Sequence, residues 1–126
     1  GGLKVNSAEF RDIRYPMNDL KEHEWFAGAQ SANGRLQLVG LLAPNPLGLH
    51  DMLGNVWEWV EDCWNEGYTG APDIAVPRVT GACNERVFRG GAWNSTPTTL
   101  RSAYRDRDSK DEHHDNLGFR VARSLP

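Results

Sequence analysis

The sequence predicts one α+β domain in which a small twisted antiparallel sheet is surrounded by long, well-packed loops. The chain has 126 residues, enough for a single modest hydrophobic core. Its 13 glycines and 7 prolines interrupt it so often that the regular elements must be short. Residues 55–61 alternate tryptophan with other side chains at every second position, which is the period of a β-strand.

The remaining elements are predicted in order along the chain. Residues 20–26 predict a helical turn, and residues 36–42 predict a short strand that ends before Pro44. Residues 64–80 contain two glycines and two prolines and therefore predict a loop with little regular structure. Two further strands are predicted at residues 86–88 and 117–122.

Composition and charge exclude several classes of protein. Hydrophobic residues make up 39% and charged residues 25% of the chain, which is ordinary for a soluble globular domain. The net charge is −3 and no basic stripe offsets the acids, so we expect no nucleic-acid partner. No apolar run is long enough for a membrane span, and the first residues lack a signal-peptide pattern.

Three segments are unusually rich in information. The first, residues 48–59, reads GLHDMLGNVWEW and places Asp51 and Glu58 on either side of a Gly-Asn turn that precedes two tryptophans. The second, residues 86–94, reads RVFRGGAWN, and the third, residues 116–123, reads NLGFRVAR. Such glycine turns beside aromatic anchors predict tight turns that present carbonyls and carboxylates at a polar site.

In this order, and with LRSAYR between the last two, the segments resemble the formylglycine-generating enzyme family, also called sulfatase-modifying factors. The family fold is a variant of the C-type lectin fold, and the resemblance covers residues 44–123. Family members carry further strands and helices upstream of the position of Trp25. The resemblance therefore implies that residues 1–126 form one such domain, the C-terminal part of a longer protein, with a reduced version of the fold as the alternative.

The resemblance also implies a structural calcium ion at the turn of residues 51–58. The side chains of Asp51 and Glu58 and the carbonyls of Gly54 and Val56 match the family's ligands, and calcium prefers such oxygen donors. The alternative is that Asp51 caps the turn and Glu58 pairs with an arginine.

Cys63 and Cys83 are the only cysteines, and their positions suit a disulfide that closes the intervening loop. Such a bond would stabilise the domain by about 3 kcal/mol, and it would indicate a cell-surface or other extracytoplasmic location. The alternative is a pair of buried free thiols in a cytosolic protein. No spacing of cysteine and histidine predicts a zinc site.

The resemblance argues against copper. Family enzymes hold a copper ion with two cysteines, because monovalent copper requires soft thiolates. The matching positions here are Ser95 and Leu100, and the serine of the family's RGGSW motif is Ala92. We therefore predict no copper and no catalytic residue, with an oxygen-dependent formylglycine-generating oxidase, or a degenerate relative of one, as the alternative function.

Residues 94–116 predict a recognition surface. Leu100, Arg101, Ser102, Ala103, Arg105 and Arg107 match the family framework, and the positions between them are mostly Asn, Ser, Thr, Tyr, Asp or His. This mixture resembles the variable region of proteins that are diversified by adenine-mutating retroelements, although Lys110 and Glu112 fit that codon rule poorly. Tyrosine with short polar side chains is also typical of antibody paratopes. The alternative is a solvated polar loop.

The predicted function is a non-catalytic module that binds a protein or small ligand, with an accessory domain of a kinase or protease fusion as a third possibility. The framework arginines are predicted to form structural ion pairs beneath the surface. The predicted ligand-binding residues are Trp93, Asn94, Ser95, Thr96, Thr98, Thr99, Tyr104, Asp106, Asp108, Ser109, Asp111, His113 and His114.

Overall fold

The computed structural model describes residues 22–27 and 34–126, and within them the chain forms one four-stranded curled sheet. The strands are β1 (Trp57–Trp64), β2 (Ala82–Arg89), β3 (Arg105–Ser109) and β4 (Leu117–Gly118), in the spatial order β3-β2-β1-β4. Strand β2 pairs antiparallel with both β1 and β3. Within these ranges helical geometry is confined to Glu22 and His23, and no helix is long and apolar enough to cross a membrane.

The purely antiparallel sheet predicted from the sequence is wrong at one edge. After β3 the chain crosses through residues 110–116 to the opposite edge of the sheet. There β4 pairs with β1, and these two strands run parallel. The sheet is therefore mixed. Of the strand predicted at residues 117–122, only Leu117–Gly118 pairs with a neighbour.

The predicted strand at residues 36–42 does not form. The Gln37 backbone N–H donates to Asn55 Oδ1 at 3.0 Å, and Asn55 Nδ2 donates back to the Gln37 carbonyl at 3.1 Å. A side chain thus satisfies the backbone groups that a neighbouring strand would otherwise pair. The predicted helical turn at residues 20–26 lies partly outside the described residues.

The Gly-Asn turn before β1 is buried. Gly54 has a φ of 88°, and a β-carbon there would collide with the Trp25 carbonyl, so only glycine fits. The Gly54 N–H donates to the Gly90 carbonyl at 2.7 Å, and the Asn55 carbonyl accepts from the Trp93 N–H at 2.8 Å. The first two sequence motifs are therefore joined through backbone hydrogen bonds.

The buried core lies beneath this turn. Phe26, Leu53 and Leu100 form its apolar cluster, each 5% exposed or less. Trp57 and Trp59 are only half-buried, so the tryptophans of the first motif lie on the sheet rather than in this cluster.

The predicted loop between β1 and β2 is held by a disulfide and an arginine. Cys63 and Cys83 are bonded, with their Cα atoms 4.5 Å apart. The Arg78 guanidinium donates to the carbonyls of Gly67 and Thr69 at 3.0 and 2.8 Å, while the Arg78 N–H donates to Asp62 Oδ1 at 3.1 Å. These contacts fix the conformation of the loop between β1 and β2, although it contains no regular secondary structure.

Candidate ligand-binding face

Strand β3 lies within the predicted recognition surface of residues 94–116, and its side chains point alternately to the two faces of the sheet. Side chains of a strand alternate between faces, so Asp106 and Asp108 lie on one face and Arg105 and Arg107 on the other. Phe88 lies opposite both Asp106 and Trp59 in the strand registers, and directly opposed residues share a face. We call the face that carries Trp57, Trp59, Phe88, Asp106 and Asp108 the aromatic face.

A cavity of about 280 Å³ opens on the aromatic face. Its floor is made by Trp57 and Phe88, whose ring centroids are 5.2 Å apart with the planes at 63°. Tyr104 extends the aromatic floor, 5.8 Å from Trp57 between ring centroids. The polar and apolar side chains that complete the lining are Asp106, His114, Asn116 and Leu117.

The polar wall of this cavity is organised by hydrogen bonds. His114 Nε2 lies 2.9 Å from Asp108 Oδ2, and the Ser109 N–H donates to Asp108 Oδ1 at 2.8 Å. The hydrogen bond from His114, followed by that from the Ser109 N–H, lowers the pKa of Asp108 below its usual value. Asn116 Nδ2 donates to Asn94 Oδ1 at 3.1 Å, which ties the two ends of the predicted segment together.

Two of the framework arginines, Arg105 and Arg107, lie on the opposite face, whereas Arg101 lies over the Tyr104 ring, 5.6 Å from its centroid. Arg105 and Arg107 place their guanidinium carbons 4.5 and 4.3 Å from the Trp64 ring centroid. Arg107 also pairs with Glu85 at 3.2 Å, and Arg105 donates to the Glu66 carbonyl at 2.8 Å. Arg105 and Arg107 therefore hold β3 on this face mainly by stacking on the Trp64 indole, and the Arg107–Glu85 ion pair adds to this contact.

The other predicted ligand-binding residues are not gathered at the cavity. Thr96, Thr98 and Thr99 hydrogen-bond among themselves in the turn before Leu100, and Asp111 and His113 are exposed beyond β3. Ser95 is only 8% exposed, and Trp93 is half-buried, with its N–H bonded to the Asn55 carbonyl. Of the predicted set, Asp106 and His114 therefore line the cavity, while Tyr104, Asp108 and Asn94 contact the lining residues Trp57, His114 and Asn116.

The positions that match the copper ligands of the family meet at one glycine. A β-carbon on Gly91 would lie 2.5 Å from Leu100 Cδ2 and 3.5 Å from Ser95 Cβ. Ser95 Oγ accepts a hydrogen bond from the Ala92 N–H at 2.8 Å, and Leu100 packs in the apolar cluster. Both side chains have structural partners there, and neither can supply a thiolate to a metal.

The turn of residues 51–58 offers only part of a calcium site. Asp51 Oδ2 accepts from the Gly40 N–H at 2.8 Å, and its buried Oδ1 has no hydrogen-bond partner among the residues that the structure describes. Both carboxylate oxygens of Glu58 accept from Arg120, at 2.7 and 2.5 Å. The Arg120 guanidinium therefore occupies both Glu58 oxygens, and an ion at this turn would have to displace it. No group of three acidic, histidine or cysteine side chains in the described ranges is arranged to hold a metal.

Sequence reasoning missed Glu24, which lies buried behind this turn. Glu24 is 4% exposed, and its Oε2 accepts from the Leu53 N–H at 3.2 Å. Burial raises its pKa to about 8, and the nearby Asp51 carboxylate acts in the same direction. No pattern in the sequence marks a single glutamate before a tryptophan as buried.

Sequence reasoning also missed that Trp57 and Phe88 form a cavity floor. The alternation of residues 55–61 was a usable signal, since it puts Trp57 and Trp59 on one face. The side chains that lie beside these tryptophans, Phe88 and Asp106, could not be known without the registers of β2 and β3.

The family of this chain follows from its similarity to known proteins. Residues 6–125 match the family described as the sulfatase-modifying factor enzyme 1-like domain, and the chain belongs to it. It is 37% identical over 84 residues to the serine/threonine-protein kinase pkn1 of Chlamydia pneumoniae and 33% identical over 87 residues to the formylglycine-generating enzyme of Bos taurus. These matches cover 65% and 67% of this chain but only 14% and 23% of those proteins.

Two solved structures are similar to this one. PvdO from Pseudomonas aeruginosa superposes with a TM-score of 0.78 at 31% identity, over 86% of this chain and 43% of that chain. Treponema denticola variable protein 1 superposes with a TM-score of 0.71 at 26% identity, over 87% of this chain and 40% of that chain. The chain is therefore similar in fold to PvdO and to a variable protein, and similar in sequence to a formylglycine-generating enzyme.

Proposed function

We propose that this chain is a non-catalytic binding module that recognises a protein or small ligand on its aromatic face. The observation that carries the proposal is that acidic and basic side chains of β3 point to opposite faces of the sheet. Asp106 and Asp108 face the cavity side of the sheet, while Arg105 and Arg107 are held behind it by Trp64. A strand fixed from one side can accept different side chains on the other with little effect on the fold.

The cavity lining supports recognition of a ligand. Binding sites for small ligands and side chains are mostly apolar hollows with a few convergent polar groups. Trp57, Phe88 and Leu117 supply apolar surface, and Asp106, His114 and Asn116 supply hydrogen-bonding groups. The excess of acidic over basic side chains in residues 106–115 disfavours a nucleic-acid partner.

The similarity to Treponema denticola variable protein 1 supports two finer proposals. One is that the domain is a C-type-lectin-like variant of α+β type. The other is that residues 94–116 belong to a segment diversified by a retroelement. Detection of a reverse transcriptase gene and a near-copy of this coding segment in the source genome would support the second proposal, and a genome without either would contradict it.

The second candidate function is an oxygen-dependent formylglycine-generating oxidase. The observation that favours it is the similarity to the formylglycine-generating enzyme of Bos taurus. Against it stand Ser95 and Leu100, which meet at Gly91 but carry no thiolate. A cysteine-containing sulfatase peptide that this protein oxidises in the presence of copper would favour the enzyme over the module.

The test of the module is a binding comparison on a defined array of peptides and glycans. We expect the wild-type protein to bind particular array members, and we expect the variant Tyr104→Ala/Asp106→Ala/Asp108→Ala to lose them with little change in Tm. The matched control, Glu112→Ala/Asp115→Ala, removes the same number of negative charges from exposed positions outside the cavity and should bind as wild type does. Binding retained by the triple variant, or no binding by the wild type, would contradict the proposal.

A further inference from the structure

The cavity on the aromatic face combines two features that favour one class of ligand. Its floor is aromatic, because the rings of Trp57 and Phe88 meet edge to face. Its wall carries the Asp106 carboxylate, which the strand register sets opposite Phe88. Aromatic faces and carboxylates both attract positive charge, and the two act together when a cation is desolvated between them.

The Asp106 carboxylate retains an open oxygen. Its Oδ1 accepts from the Arg107 N–H at 2.9 Å, and no side chain of residues 22–27 or 34–126 donates to its Oδ2. Asp108, two residues further along β3, is different because both of its oxygens are engaged, by His114 and by the Ser109 N–H. Asp106 is therefore the acid of the cavity that remains available to a ligand.

No cation of β3 neutralises Asp106 from its own face. Arg105 and Arg107 alternate to the opposite face, where they stack on Trp64 and Arg107 pairs with Glu85. Residues 106–115 contain five acids against Arg107 and Lys110, so this segment is negative, and of the nearby arginines Arg86 donates to the Glu61 carbonyl while Arg101 lies over the Tyr104 ring. A negative field around a partly enclosed hollow concentrates positively charged ligands.

We propose that this cavity binds the guanidinium or ammonium group of an organic cation, with the cation between the Trp57 and Phe88 rings and the Asp106 carboxylate. This inference rests on the proposed function, for which it names the ligand chemistry. A volume of about 280 Å³ suits one basic side chain or a small amine rather than a large ligand. The same cation chemistry could be presented by a protein partner or by a free small molecule.

The test is an NMR titration of the full chain with three probes. These are an acetylated Gly-Arg-Gly amide, its citrulline counterpart, which replaces the guanidinium by a neutral urea of the same shape, and methylguanidine. We expect the arginine peptide to bind at least about tenfold more tightly than the citrulline peptide, because a hydrogen bond to a charged group is lost. Tighter binding of the peptide than of methylguanidine would indicate a protein side chain, and equal binding would indicate a small cation.

Two variants and one control make the result specific. Asp106→Asn should weaken binding of the arginine peptide about tenfold, and Phe88→Leu should weaken it severalfold by removing one ring. Glu112→Gln removes the same charge from an exposed position outside the cavity and should leave binding unchanged. Native-like NMR spectra of the variants are required for each comparison, and either of the two variants suffices if the other does not fold.

Equal affinity for the arginine and citrulline peptides, or no binding of any probe, would overturn the cation proposal. If the array ligands are still lost in the Tyr104/Asp106/Asp108 variant, the binding module stands and only the ligand class is wrong. If the array also gives no ligand, the proposed function fails with it.

Discussion

At the scale of single residues, Gly91 brings Ser95 and Leu100 together in the place where copper-binding relatives are expected to carry cysteines. The resemblance to the family matched these two positions to its copper ligands, and in the structure the two side chains share Gly91 as a neighbour. Spacing could not show that Ser95 Oγ is used to hold the Ala92 N–H, because that hydrogen bond depends on the conformation of the turn.

This proximity predicts that a copper site can be restored. We expect the wild-type protein not to compete with a chelator for monovalent copper. The double variant Ser95→Cys/Leu100→Cys should bind one equivalent tightly, because two thiolates suit this ion. Competition titrations under ascorbate measure this, with each single variant as a control. Tight binding by the wild type would contradict the account, as would no gain in the folded double variant.

Glu24 predicts an unusual dependence of stability on pH. Its pKa is about 8 in the folded protein against an ordinary value of 4.5, so between these pH values the folded state holds a proton that the unfolded state releases. The stabilisation is therefore complete below pH 4.5 and is lost as the pH rises towards 8. Glu24→Gln should remove this decline and be the more stable protein at pH 8, by on the order of a few kcal/mol. Denaturant unfolding at pH 5, 6.5 and 8 tests this, and parallel pH profiles for the two proteins would refute it.

Calcium at the turn of residues 51–58 remains a proposal, and Arg120 makes it testable. Because the guanidinium holds both oxygens of Glu58, an ion would have to displace it. We expect weak calcium binding by the wild type and binding severalfold tighter in Arg120→Gln, with Asp51→Asn as the variant that removes it. Calorimetric titration that detects no calcium binding in either wild type or Arg120→Gln would end the proposal.

At the scale of elements, the strands differ in how far the sequence could predict them. Strand β1 was predictable because its tryptophans alternate against one face of the sheet. Strand β3 was not, because Arg105–Ser109 reads RDRDS and has no apolar face. Its arginines stack on Trp64, Asp106 lines a cavity and Asp108 bonds to His114, so its stability comes from tertiary contacts that a local pattern does not record.

The disulfide between the ends of β1 and β2 gives a prediction at this scale. Reduction of Cys63–Cys83 should lower the free energy of unfolding by about 3 kcal/mol, since the unfolded chain regains the freedom of the closed loop. The variant Cys63→Ala/Cys83→Ala should match the reduced protein and should not respond to reductant. A wild-type Tm that is unchanged by reductant would show that the bond does not form or does not matter.

At the scale of the whole molecule, the chain spans a small part of the relatives that it matches, 14% of the chlamydial kinase and 43% of the PvdO chain. Val39, Phe119 and Val121 are 81%, 76% and 87% exposed. Exposed apolar surface of this kind is typical of places where another polypeptide packs. These exposed side chains are therefore a candidate contact surface in addition to the aromatic face.

The most direct test is to map where a ligand found on the array binds. In amide and indole NMR spectra, the account predicts shifts at the Trp57 indole N–H and at the amides of Phe88 and Asp106, with Ser95 and Leu100 unaffected. Shifts centred on Ser95 and Leu100, with none at Trp57 or Asp106, would contradict it, because the ligand would then occupy the position of the family's catalytic site.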